Sequence, residues 1–398
     1  MSAMGIAVFA VLFGFSMILI ACSLLIIAWK LMRQVNERLD RPIRERLAHL
    51  PSAVALTDDA PAPPRSGRAR RVARDMVVDA TGALSGPSRD RTVAWLERHG
   101  YVDETIRTLR LPTNRSWRRA EAAALLGRMG SRKAAPALAK GLLDGRYRVR
   151  DACATALGRV ATQAEVPALI TAVERRRVPR GLLSGGLLNL DAAADPALIA
   201  CLRHPDAPTR DLVARVLGMR RSTRAVPALM VALEDADPDV RRHAILAIAE
   251  IAANEPVTVD PEPLFRLAVA DEAIVRAAAA TGLGQILGDG AGRVLTGMTR
   301  DPDYWVSYRA AESLCRLPSG DEFGWRVLCD HDDTPGAHRA KAACLEWLER
   351  TGGIERRVAA ILDAGNDDAL VETLQVLEGV GSRAWADLLG APAAGGVA

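Results

Sequence analysis

Aromatic side chains are scarce in this chain of 398 residues: five Phe, seven Trp and four Tyr make up 4% of it. So thin a supply, beside abundant Ala, Leu and Arg, argues against an enzyme barrel and for helices packed closely on small side chains. Cysteines are few and scattered. Cys22, Cys153, Cys201, Cys315, Cys329 and Cys344 form no Cys-x-x-Cys pair and no dense disulfide spacing, a usage that suits a reducing compartment. No stretch alternates apolar and polar residues as a strand does. Catalytic signatures are missing too: there is no nucleophile elbow, Gly-rich phosphate loop, HExxH or dinucleotide fingerprint. Gly282-Leu283-Gly284-Gln285-Ile286-Leu287 lacks the third glycine and lies inside a periodic helical stretch. Cys329, His331, Asp332, Asp333 and His338 include metal-ligand types, but their spacing fits no zinc or di-metal pattern and reads as a capped inter-helix turn. The expectation is therefore a protein that is not an enzyme, with no catalytic residue, metal, cofactor or small-molecule substrate.

Charge is absent from the first 29 residues. Met4–Trp29 is an uninterrupted apolar run of 26 residues, about 39 Å as a helix and long enough to cross a hydrocarbon core of about 30 Å. Lys30, Arg33, Arg38, Arg41, Arg44 and Arg46 follow directly. The expected anchor (1–29) is a single transmembrane helix of the inner, cytoplasmic membrane, with its N-terminus outside and the rest in the cytoplasm. A cleaved signal peptide would need a basic start and a shorter core. Leu19-Ile20-Ala21-Cys22 resembles a lipobox, but the chain stays apolar through Trp29, so the plain anchor is preferred. Residues 30–50 read as a juxtamembrane helix, with Leu31, Val35, Leu39, Ile43 and Leu47 at spacings of four; a self-associating stalk is the alternative. Residues 51–89 read as a Pro/Arg-rich linker whose Arg cluster can touch anionic lipid. Lys30–Asp75 holds eleven Lys/Arg against six Asp/Glu, a net +5, which leaves −1 from Met76 onward. On this count the basic character belongs to the membrane-proximal segment.

What the chain has in plenty is a beat. Leu126, Leu157, Leu187, Leu217, Ile248, Leu283, Leu314, Leu345 and Leu377 recur about every thirty residues. Seven before the first six stand Arg119, Arg150, Arg180, Arg210, Arg241 and Arg276. Pro136, Pro167, Pro196, Pro227 and Pro263 mark an earlier point in the units, where a first helical turn accepts proline. Within Ala225–Ala252 a short helix, an Asp-rich turn at Asp235–Asp239 and a second helix can be read from spacing alone. One such pair cannot hide its apolar face, whereas a stack can. Cys153, Cys315 and Cys344 fall beside the periodic positions, so buried thiols are expected.

The text "VPALMVALEDADPDVRRHAILAIAEI", echoed by "APALAKGLLDGRYRVRDACATALGRV" and "VPALITAVE", resembles HEAT repeats, in particular the short bacterial HEAT-like repeats of the phycobilisome-lyase type. The likeness covers most of residues 90–390. It implies an all-α fold: a right-handed α-solenoid of HEAT-like helix pairs (90–390) after the transmembrane helix, with a flexible tail at 391–398. It also implies that an Asp six before each Arg pairs with it; Asp144 and Asp235 have that spacing to Arg150 and Arg241, while Arg119 and Arg180 lack it. The Arg row is read as a structural ladder, with an anion-binding row as the alternative.

Two irregularities stand out. Four extra residues fall between Ile248 and Leu283, around Asn254–Pro261, and the turn holding Tyr304, Trp305 and Tyr308 reads as two residues longer than its counterpart. Those three aromatics on an exposed loop are the candidate protein-binding site. Arg128, Arg159 and Arg215, two after periodic leucines, are candidates for a basic row on the second helices. The expected function is a membrane-tethered cytoplasmic scaffold that binds a protein partner. The resemblance to membrane-anchored HEAT proteins implies an envelope or exopolysaccharide glycosyltransferase system. The alternatives are a lyase-like accessory subunit and a nucleic-acid-binding HEAT protein. A net −1 beyond Met76 lacks the footprint of the latter, so no nucleic-acid partner is expected.

Overall fold

Proline-opened short helices, acidic turns and longer amphipathic helices alternate along the chain in a computed structural model. It describes residues 3–382 other than 66, 114, 177 and 287–289, and for residues 3–14, 16, 18, 19, 21 and 29 the backbone alone. Among the described residues there is no strand. The chain divides into two compact units, Met1–Ala161 and Thr162–Ala398.

The first unit begins with α1 (Ala3–Arg46), a single helix of 44 residues. It carries the apolar run and continues without a break through most of the expected juxtamembrane stretch. Among the described residues no single helix is long and apolar enough to cross a membrane. Most side chains of Met4–Ile20 lie outside the described residues, and so, to that extent, does the expected anchor. Leu31, Val35 and Leu39 are half exposed.

The linker expected at 51–89 is corrected. That stretch folds as α2 (Leu50–Leu56), α3 (Gly67–Thr81) and the start of α4 (Gly86–Arg98). Its proline and arginine content hid an apolar stripe: Val72, Ala73, Val77 and Val78 are fully buried. Arg68, on the other face, bonds Asp40 at 2.6 Å and Asn36 at 2.5 Å on α1. Helices thus resume well before residue 90. After α4 come α5 (Tyr101–Arg110), α6 (Ser116–Met129), α7 (Ala135–Gly141) and α8 (Tyr147–Val160). α6 and α8 lie side by side, with α5 and α7 packed against them.

The second unit runs α9 (Val166–Glu174), α10 (Arg180–Leu188), α11 (Asp195–Ala200), α12 (Ala207–Met219), α13 (Val226–Ala232) and α14 (Pro238–Asn254). It continues with α15 (Glu262–Leu267), α16 (Ala273–Ile286), α17 (Ala291–Met298), α18 (Tyr304–Arg316), α19 (Gly320–Leu328), α20 (Pro335–Thr351), α21 (Gly353–Asp363) and α22 (Asp367–Gly379). α12, α14, α16, α18 and α20 stand in one row. Pro136, Pro167, Pro196, Pro227 and Pro263 each sit in the first turn of a first helix. Small residues let the second helices touch: a Cβ on Gly218 would lie 2.6 Å from the Ala247 Cα, and one on Gly127 2.8 Å from the Ala156 Cα.

Leu126, Leu157, Leu187, Leu217, Ile248, Leu283, Leu314 and Leu377 are fully buried. Leu345 is the exception. It is half-buried, and the core position of its helix belongs to Cys344, with Leu348 one turn on. The four extra residues near Asn254 are absorbed by a longer α14, which runs 17 residues, and by the 255–261 loop. The capping layer expected at Trp385, Leu388 and Leu389 and the tail at 391–398 lie outside the described residues.

The arginine row has a different wiring from the one the resemblance implies. Arg210 clasps Asp235, 25 residues later, through Nε at 2.7 Å and Nη2 at 2.8 Å, while its Nη1 donates to the His204 carbonyl at 2.8 Å. Arg276 holds Asp301 the same way at 2.8 and 3.0 Å, and Arg119 holds Asp144 at 2.5 and 3.3 Å. The Asp six before an arginine contributes its backbone carbonyl instead: Arg150 donates to the Asp144 carbonyl at 2.9 Å and Arg241 to the Asp235 carbonyl at 2.8 Å. Arg241 reaches Glu272 at 2.7 Å, because Ala270 stands where the turn Asp would be, and Arg180 reaches Asp211 at 3.5 Å. Forked pairs of this kind are geometrically specific, and removing one partner from a buried pair costs about 3–5 kcal/mol.

Candidate docking face

Asp303 organises the most unusual surface of the second unit. Its carboxylate accepts hydrogen bonds from the backbone N–H of Trp305 at 2.9 Å and Val306 at 3.2 Å, which starts α18. Asp237 does the same for α14, accepting from Asp239 and Val240. The two turns are therefore equivalent, and the longer loop expected around Tyr304 does not exist. The aromatics occupy the first turns of a helix. The apparent extra length arose because Ser307 stands where the arginine row predicts a cation.

Ser307 changes the chemistry of its layer. In four earlier layers the ladder arginine, Arg150, Arg210, Arg241 or Arg276, donates to its own turn's carbonyls. Here Arg339 reaches back from α20 and donates to the Pro302 carbonyl at 3.0 Å, the Asp301 carbonyl at 3.4 Å and Ser307 Oγ at 3.2 Å. Its guanidinium lies 5.7 Å from the Tyr304 ring centroid. Tyr304 and Tyr308 stack with centroids 6.1 Å apart, and Trp305 stands edge-on to them at 5.2 and 6.3 Å. Tyr304 is 51% and Trp305 57% exposed, while Tyr308 is half-buried.

Trp305 forms one wall of a cleft of about 540 Å³ across α14, α16 and α18. Leu246, Ile274, Ala277 and Thr281 make its apolar floor, and Arg242 and Arg309 stand at its rim. Arg309 pairs with Glu312 at 2.7 Å and lies 5.9 Å from the Trp305 ring. A large rigid aromatic beside an apolar floor, with cations at the edge, offers a partner side chain much contact area at small ordering cost.

The candidate arginines on second helices, Arg128, Arg159 and Arg215, are all exposed. Arg128 pairs with Asp79, and Arg159 and Arg215 lie on different units. Several residues of the Cys329–His338 turn serve structure. Asp330 and Asp332 pair with Arg300 at 2.6 and 3.0 Å, and Thr334 caps α20 by accepting from Ala337. Among the described residues no group of three His, Cys, Asp or Glu side chains is placed to hold a metal ion.

Burial governs the thiols. Burial, with help from Asp144 and against the pull of Arg119, pushes the Cys153 thiol up to about 12. Cys315 and Cys344 are both buried and free, with Sγ atoms 3.7 Å apart, and the Cys344 thiol is raised well above its ordinary value by its contact with Cys315 and by burial. Burial would raise Asp235, but the bonds from Arg210 and the Asp237 amide outweigh it and hold the carboxyl below its ordinary value.

Two features escaped the reading of the sequence. Arg220 is buried against Asp195 at 2.7 Å and donates to the carbonyls of Leu187, Leu188, Leu190 and Asp191 at 2.7–3.2 Å, closing the end of α10. No beat announces it. The other was countable. Residues 105–150 hold twelve Lys/Arg against two Asp/Glu, a net +10. The −1 beyond Met76 averages this block with an acidic remainder, so the basic character is not confined to the membrane-proximal segment.

The sequence profile described as HEAT repeats matches residues 112–181 and 196–262. No curated protein matches the chain in sequence. Among solved structures, an engineered protein is similar at 20% identity over 84% of this chain and 99% of its own, with a TM-score of 0.35. The complex of CpcE and CpcF of phycocyanin lyase from Nostoc sp. PCC7120 is similar at 21% identity over 73% of this chain and 99% of that one, with a TM-score of 0.24.

Proposed function

We propose that this chain, whose residues 112–181 and 196–262 match the HEAT-repeat profile, is a docking scaffold that grips a protein partner without chemically altering it. The observation that carries the reading is the Tyr304–Trp305–Tyr308 cluster, half exposed beside an apolar cleft in a chain with few aromatics. Stacked helix pairs present extended surfaces by construction, and buried aromatic anchors dominate interface energies. The test is affinity purification of the full chain in mild detergent, wild type beside a triple Ala variant at 304, 305 and 308. Partner recovery is expected to fall by a factor of about thirty, the equivalent of about 2 kcal/mol for a lost anchor. Undiminished recovery with the triple variant would remove this face from the docking site.

The proposal includes a tether. The apolar run Met4–Trp29 supports a single-pass anchor in the cytoplasmic membrane, and the six cations that follow it support a cytoplasmic solenoid. A membrane-associated partner follows from that location, and the resemblance to membrane-anchored HEAT proteins points to an envelope or exopolysaccharide glycosyltransferase system. Retention in the membrane pellet after alkaline carbonate extraction, with a C-terminal reporter active only in the cytoplasm, is the expected result. Release by carbonate, or a reporter active outside the cell, would refute the tether.

A further inference from the structure

We propose that one edge of the first unit is a contact surface for anionic phospholipid headgroups. The inference rests on the tethered reading above. Four chain segments meet at this edge: the end of α5, the start of α6, the end of α7 and the start of α8. The short links 111–115 and 142–146 bring each helix end back beside the next start. Together they expose Arg107, Arg110, Arg115, Arg118, Lys140, Arg146 and Arg148. The only carboxylate in the links, Asp144, is half-buried and already bonded to Arg119 and the Arg146 amide. Glu121 lies a turn further along α6, and Asp103 and Glu104 lie at the far end of α5.

Six of these seven cations, all but Arg107, make no hydrogen bond or ion pair to a carboxylate or to the backbone through their side chains among the described residues. Arg107 donates to the carbonyl of Asp103. Arg118 lies 5.2 Å over the Trp117 ring, and Arg148 lies 5.8 Å over the Tyr147 ring and donates to its hydroxyl at 3.1 Å. Trp117 is 49% and Tyr147 60% exposed. Tryptophan and tyrosine with an apolar body and a polar end settle at the water–hydrocarbon boundary, and each nearby Lys or Arg adds about 1 kcal/mol on an anionic leaflet. The shallow cleft between the starts of α6 and α8, about 430 Å³ and lined by Ser116, Arg146, Tyr147, Arg148 and Arg150, gives a headgroup room to enter. An acidic membrane is preferred over other polyanions because the same unit carries the apolar run Met4–Trp29.

The test uses the full chain reconstituted into nanodiscs of phosphatidylcholine alone or with 30% phosphatidylglycerol, and reads hydrogen exchange. The first-turn amides of α6 and α8 are good reporters, since Arg115 and Arg146 cannot cap them. In anionic discs, exchange at residues 116–117 and 147–148 is expected to slow by about tenfold, the equivalent of about 1.4 kcal/mol. The slowing should vanish in 0.5 M salt or in the R118E/R148E variant, while buried residues 153–157 exchange as in wild type. Equal exchange in both discs overturns the proposal and leaves the tether standing. A chain that enters neither disc but binds anionic vesicles in a salt-sensitive way overturns the tether and keeps the surface. Protection by duplex DNA and not by either disc overturns the lipid assignment in favour of a nucleic-acid surface.

Discussion

Residues 1–161 and 162–398 are built on the same helix pair, yet they are of opposite net charge. The first unit carries 27 Lys/Arg against 14 Asp/Glu, a net +13, and the second 25 against 34, a net −9. The second starts α12, α14, α18 and α20 with Asp206, Asp237, Asp303 and Thr334, whose side chains accept first-turn amides. In the first, the corresponding positions before α6 and α8 are Arg115 and Arg146, which cannot accept them. The cores, by contrast, are alike: fully buried leucines, buried thiols, and Gly–Ala contacts between second helices. The stacking rule thus fixes the interior and leaves the turns free to differ, arginine-rich in one unit and capped by Asp or Thr in the other.

The largest test of that contrast removes ladder arginines. Arg210→Ala strands Asp235 in a half-buried turn and is expected to cost about 3–5 kcal/mol, seen as faster hydrogen exchange in α12 and α14 but not in α6 and α8. Arg119→Ala should cost less, about 2–3 kcal/mol, because Arg119 Nε is buried without a hydrogen-bond partner even in the intact protein. Equal costs would mean that the forked geometry adds nothing to the charge pair. The next test probes what the units share. With the folded Cys153 thiol near 12 and an unfolded thiol near 8.5, the unfolded chain loses its proton first as pH rises. Stability is then complete below about pH 8.5 and falls by up to roughly 1.4 kcal/mol per pH unit above it. Cys153→Ala should flatten that slope for the first unit, and Cys344→Ala for the second, in urea titrations between pH 8 and 10; unchanged slopes would contradict the burial argument. The smallest effect is at the caps. Asp237→Ala should cost about 1 kcal/mol, whereas Arg146→Asp should gain about 0.5 kcal/mol by capping α8. A loss on Arg146→Asp would show that the arginine itself holds the turn.

The repeat architecture was legible because burial imposes its own period: Leu217, Ile248, Leu283 and Leu314 had to face inward, and the spacing says so. Leu345 misled because Cys344, its neighbour, is as apolar as a leucine and holds the core position. The helices at 50–81 were missed because proline and arginine content drew attention from the Val72–Val78 stripe. Tyr304, Trp305 and Tyr308 could be picked out as rare residues, but their position on α18 required knowing that Asp303 caps it. Arg220 was illegible, since its partners are backbone carbonyls, which leave no mark in a sequence. The basic edge was legible to a local count and lost in a whole-chain one.

Asp235 serves two masters: its carboxylate holds Arg210, 25 residues before, and its carbonyl receives Arg241, 6 residues after. Excising or duplicating one complete module would let both bonds re-form with the neighbouring copy, while a cut through part of a module would leave a guanidinium without its carboxylate. Such a chain can lengthen or shorten during descent only by entire modules, and its reach toward a distant partner is quantised accordingly.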